Sequence, residues 1–79
     1  MKLTQLIKAK TAIVTGVNDG INMIGAKLRE IGFAEGDEVE IMHYGPLGAT
    51  PICVRLNRTL IALRPEEAAQ IEVELKNAD

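Results

Sequence analysis

The chain has 79 residues, 47% of them apolar, with nine basic and eleven acidic side chains and a net charge of −2. That length is too short for two domains, so residues 1–79 are expected to form one domain with a thin core, burying only about 60% of the unfolded surface. Net acidity with one Phe, one Tyr and no Trp speaks against a nucleic-acid binder, which needs cationic surface and stacking rings.

Met1 to Lys10 places Leu3, Leu6 and Ile7 at helical spacing over barely two turns. This suits a short helical turn or an extended lead-in packed on the rest of the fold. Thr11 to Val17 is rich in β-branched residues and reads as the first strand. Gly16 within it marks a bulge or sharp bend. Asn18-Asp19-Gly20 is a turn signal. From Ile21 to Ile31, the apolar residues Ile24, Leu28 and Ile31 recur at helical spacing, with Lys27, Arg29 and Glu30 on the other side. One helix is expected there, with Asn22 as a weak cap. Gly32 comes next, where a residue without Cβ is needed to leave the helix through positive φ, and Glu35-Gly36 offers a second tight turn.

Glu38, Val39, Glu40 and Ile41 alternate inside a second strand from about Asp37 to Tyr44. Gly45 to Pro51 holds two glycines and two prolines in seven residues and reads as a loop. Ile52, Val54 and Leu56 alternate with Cys53 and Arg55 in a third strand. Asn57-Arg58 then forms a two-residue hairpin loop leading to a fourth, Thr59 to Leu63; Asn tolerates positive φ at the first position. Pro65 opens a single helical turn to Ala69, with Glu66 and Glu67 near the positive end of its dipole. Ile71, Val73 and Leu75 alternate with Glu72 and Glu74 in the last strand, and Lys76 to Asp79 should fray.

Five short strands in so small a chain cannot stay flat without long exposed edges, and partial closure into a small barrel relieves this. The fold class is therefore mainly β: a five-stranded, partly open barrel with one helix after the first strand and a helical turn before the last. The inward residues are Ile13 or Val14, Val39, Ile41, Ile52, Val54, Leu56, Ile61, Leu63, Ile71 and Val73, with Leu28 and Ile31 closing one end.

Catalytic residues are scarce. The chain has one His, one Cys and no Ser, so only a Cys/His dyad is conceivable, and neither residue sits in a loop that would present it. Glu35, Asp37, Glu38 and Glu40 alternate with apolar residues and read as a solvated face. No pair of His or Cys has zinc-type spacing. His43 shares strand parity with Val39 and Ile41 and reads as a rim histidine; Cys53 has the parity opposite to Ile52 and Val54. These two are the candidate metal ligands if their strands bring them together. Arg55, Arg58 and Arg64 offer either a small basic patch or balance for nearby glutamates. A lone cysteine precludes an internal disulfide and favours a reducing, cytoplasmic setting. The N-terminal segment lacks a signal-peptide core, and no run approaches the ~18 apolar residues of a membrane span. The loop Tyr44 to Pro51 is long, carries Leu47, and is stiffened by Pro46 and Pro51, which suits contact with a partner.

The ordered set L-R-E-I-G-F-x-x-G-D-x-V at Leu28 to Val39, P-I-x-V-R-L at Pro51 to Leu56, and I-A-L-R-x-x-E-A-x-x-I-x-V at Ile61 to Val73 resembles the ferrous iron transport protein A (FeoA) family. The resemblance departs at Lys10 and at Asn57-Arg58, where the family tends to carry glycine. It implies an SH3-like barrel and a cytoplasmic adaptor of bacterial ferrous iron uptake, whose partner is the large membrane transporter with a cytosolic GTP-binding domain. On that reading the contact residues are Pro46 and Leu47 in the loop, with Arg29 and Phe33 beside the helix end. No cofactor, enzymatic activity or nucleic-acid partner is expected, and contact with the membrane runs only through the transporter. The same fold forms the C-terminal domain of iron-dependent repressors, so an alternative is a regulatory domain binding Fe2+ or another transition metal through His43 and Cys53. Strand edges left open by incomplete closure would allow homo-oligomer formation.

Overall fold

The computed structural model describes residues 1–18, 23–48 and 50–76. Strands β1 (Thr11–Val17), β2 (Glu38–Tyr44), β3 (Ile52–Leu56), β4 (Thr59–Leu63) and β5 (Ile71–Leu75) form one antiparallel sheet in the order β4-β3-β2-β1-β5. The sheet curls but does not close, leaving β4 and β5 as its edges. Helix α1 (Ile24–Ile31) lies between β1 and β2, and the single turn α2 (Pro65–Ala68) precedes β5. The expected helix start at Ile21, the Asn22 cap, the Asp19-Gly20 turn residues and the C-terminal residues 77–79 lie outside the described residues.

Local signals account for most boundaries. In β3 and β5 the period-two pattern buries Ile52, Val54, Leu56, Ile71 and Val73. Gly32 and Gly36 take φ of 130° and 96°, so each turn uses the freedom that glycine alone has. Both the Gly32 and Phe33 amides donate to the Leu28 carbonyl at 3.1 Å, which ends α1. Asn57 takes φ of 54° at the first position of the β3–β4 hairpin, and its side-chain oxygen accepts from the Glu38 amide at 3.1 Å. Ala9 also takes positive φ, 71°, one residue before Lys10. The β1–β5 register shifts between Val14 and Gly16, so the bend expected at Gly16 is a bulge.

Leu3, within a short 3₁₀ turn at Leu3–Gln5, and Leu6, just after it, are buried, while Ile7 is exposed. The Met1 carbonyl accepts from the Val73 amide at 2.7 Å, fastening this segment to β5. One open inward assignment is settled and two change. Val14, not Ile13, faces the core; Ile61 is only partly buried at the open edge strand; and Ile31 is 41% exposed. The chain turns at Gly32 and inserts Phe33, 1% exposed, into the core instead of Ile31. Ala12, Val17 and Ala68 join the core as well.

Candidate functional site

The β2–β3 loop is held at its base by the Gly45 amide donating to the Pro51 carbonyl at 2.7 Å, and across its tip by the Thr50 amide donating to the Leu47 carbonyl at 3.2 Å. Pro46 is exposed and Leu47 is 80% exposed at the tip. An isobutyl group standing in water on a hydrogen-bonded turn is presented for contact at little entropic cost. Ala49, the other apolar loop residue, lies outside the described residues.

At the end of α1, the Arg29 guanidinium donates to both oxygens of Glu35 at 3.0 and 3.1 Å. This fork holds the Glu35 carboxyl down at about 2. Arg29 is exposed and fixed in position. Phe33 is not beside it on the surface: its ring is buried, so it presents no face to a partner. Its part is to fill the core near the end of α1.

The acidic run is a charge-balanced surface. Glu40 pairs with Arg55 at 3.0 Å, and Glu38 lies 3.8 Å from Arg55 and accepts from Lys76. The Lys76 ammonium lowers the Glu38 pKa through that hydrogen bond. Arg55 therefore balances glutamates and is not available to a basic patch. Glu67 is buried and joins two elements: its carboxylate accepts from the Arg64 amide at 2.8 Å, capping α2, and from Lys27 of α1 at 3.1 Å. The Arg64 amide first, and Lys27 after it, keep the Glu67 pKa below its ordinary 4.5. Glu67→Ala should lower stability by about 1–2 kcal/mol in urea titrations at pH 7. A depressed carboxyl pKa stabilises the fold fully above pH 4.5 and loses that effect as pH falls through the lowered value. The difference between wild type and Glu67→Ala should therefore shrink in acid.

His43 departs from the expected parity. The β2–β3 register runs Ile41 to Val54 and then His43 to Cys53, so Met42 is one residue in excess. This bulge reverses the parity of the residues beyond it: His43 leaves the Ile41 side and joins Cys53 on the outer face. The sequence places both residues in strands without showing that they are direct cross-strand neighbours. Met42, His43, Cys53, Leu60, Ile61 and Ala62 line a shallow groove of about 330 Å³ on that face. Among the described residues, no cluster of three or more His, Cys, Asp or Glu side chains is placed to hold a metal ion, and no helix is long and apolar enough to cross a membrane.

The FeoA domain family matches residues 1–75. A curated relative, the Fe(2+) transport protein A/Fe(2+) transporter FeoB fusion protein of Porphyromonas gingivalis, is 32% identical over 75 residues, 95% of this chain. This chain spans only 9% of that relative's length. Among solved structures, FeoA of Stenotrophomonas maltophilia complexed with zinc, described as a prokaryotic SH3 domain protein, has a TM-score of 0.82 at 38% identity, covering 94% of this chain and 89% of that one. A manganese-dependent transcriptional repressor in complex with manganese has a TM-score of 0.83 at 17% identity, over 96% of this chain and 36% of that one. At that identity the likeness is one of fold alone.

Proposed function

Because this chain belongs to the FeoA domain family, we propose that it is a cytoplasmic accessory protein of bacterial ferrous iron uptake that acts by touching the membrane transporter and its GTP-binding domain, without catalysis of its own. The observation that carries this reading is the fusion in the Porphyromonas gingivalis relative, where an equivalent segment and the transporter share one polypeptide. Covalent linkage holds two modules at high effective concentration, which is useful where they work in contact. The surface offered for that contact is the Pro46-Leu47 tip, with exposed Arg29 as a second, charged point. Likeness of fold to a metal-dependent repressor brings no ligands with it and does not favour a regulatory domain of that kind.

The test is a titration of ¹⁵N-labelled protein with the GTP-binding domain of the cognate transporter. Shifts should concentrate in residues 45–51. Burying a leucine side chain contributes about 1.5–3 kcal/mol, so Leu47→Ala should weaken binding by about tenfold or more. An unchanged affinity removes the loop as the contact, and no shifts anywhere removes the adaptor reading.

A further inference from the structure

The bulge in β2 does more than redirect His43. In a regular strand Met42 and His43 would point to opposite faces; with two residues opposing one, both turn toward the side of Cys53. All three line the same groove. A thioether, an imidazole and a thiol thus converge on one patch of the outer sheet face, with two of them on a directly paired cross-strand position, where Cβ atoms lie about 4.5–5.5 Å apart.

We propose that Met42, His43 and Cys53 form a binding site for a soft monovalent cation, Cu(I). The donor set selects it. Two sulfurs and one imidazole suit a soft d¹⁰ ion of low coordination number; hard divalent ions want oxygen donors, and zinc, which accepts thiolate and imidazole, wants a fourth ligand. No carboxylate lines the groove; the nearby Glu40 is held by Arg55. Charge points the same way. On binding, the Cys53 thiol releases its proton to solvent, and the thiolate with Cu(I) makes a site of zero net charge. Fe(II) or Zn(II) with the same ligands would leave a positive charge against Leu60 and Ala62, which share the Cys53 face, and this apolar wall opposes it. That wall also shields one side of the ion from water. The site does not rest on the transporter reading and lies on different residues from the Leu47 tip.

The experiment is an anaerobic titration of the whole 79-residue chain with Cu(I) in competition with bicinchoninate, read by loss of the chelator's colour and by the ultraviolet thiolate-to-Cu(I) band. One equivalent per chain should leave the chelator, with amide shifts confined to the groove strands. Cys53→Ala should weaken binding at least a hundredfold. Met42→Leu should weaken Cu(I) about tenfold while leaving the weaker Zn(II) affinity as it was. Met42 is exposed, so this variant carries the test alone if Cys53→Ala loses its circular dichroism signature. Retention of all the metal by bicinchoninate overturns the site. So does half an equivalent per chain, which would mean that two Cys53 thiolates bridge one ion. Wild-type Cu(I) affinity in Met42→Leu overturns the three-ligand set.

Discussion

Phe33→Ala should bring the chain close to its unfolding midpoint at room temperature. Truncating a buried phenylalanine costs about 3–5 kcal/mol, and a domain of this length has of order 4–12 kcal/mol in all. Phe33 is the largest fully buried side chain. It enters the core at the point where α1 ends. The backbone there is committed by Gly32 at φ 130° and by the shared Leu28 carbonyl, and it cannot slide a neighbour inward. Urea and thermal denaturation measure the loss; at about 4–8 °C per kcal/mol, Tm should fall by roughly 12–40 °C. Phe33→Leu, which conserves most of the volume, should cost less than about 1.5 kcal/mol. That variant also separates packing from contact: with the fold intact, it should bind the transporter domain like wild type, and a selective loss of binding would return the ring to the interface.

Gly45→Ala is expected to be the second large loss, from the addition of one carbon atom. A Cβ at Gly45 would overlap the Thr50 carbonyl oxygen and lie 2.5 Å from Pro51 Cδ. The obstructing atoms belong to backbone and a proline ring, so no rotamer change relieves them. Either the loop base opens, giving up the 2.7 Å bond from Gly45 to Pro51, or the strand ends splay. The cost should be about 2–3 kcal/mol, seen as a shifted urea midpoint. Gly48→Ala is the contrast: its Cβ would meet nothing within 4 Å, and only the φ of 63° opposes it. That change should cost about 1–2 kcal/mol. Equal losses at the two positions would mean that the loop base is looser than its geometry requires.

Features governed by near neighbours in the chain were legible in the sequence. Alternation in β3 and β5 is a local property, so it marked out their bounds and buried faces directly. Gly32, Gly36 and Asn57 are local too, since each answers a demand for positive φ at its own residue. The misses share a different physics. Ile31 fits the apolar stripe of α1, yet Phe33, an isolated aromatic in a turn with no period to reveal it, takes the place in the core. Leu3 and Leu6 are not a miss, since their segment was expected to pack on the fold; only its attachment to β5, at the opposite end of the chain, lay beyond the local pattern. The bulge at Met42 is a matter of how β2 registers against β3, and without it the parity of His43 comes out inverted. For the candidate site, the exposed Leu47 was readable from loop composition, whereas the meeting of His43 with Cys53 depended on how two strands align in space.

The excess residue in β2 also bears on tolerance to length changes. Losing one residue from a half-buried strand normally exchanges its two faces and exposes the core. Here the ladder already skips Met42: Ile41 stays opposite Val54, His43 opposite Cys53 and Tyr44 opposite Ile52 whether or not it is present. A chain one residue shorter at this point would keep every pairing of the strand and give up only the thioether. Position 42 is thus a place where a deletion leaves the strand pairing in register, and where a homologous chain can lack the sulfur donor without rebuilding its sheet.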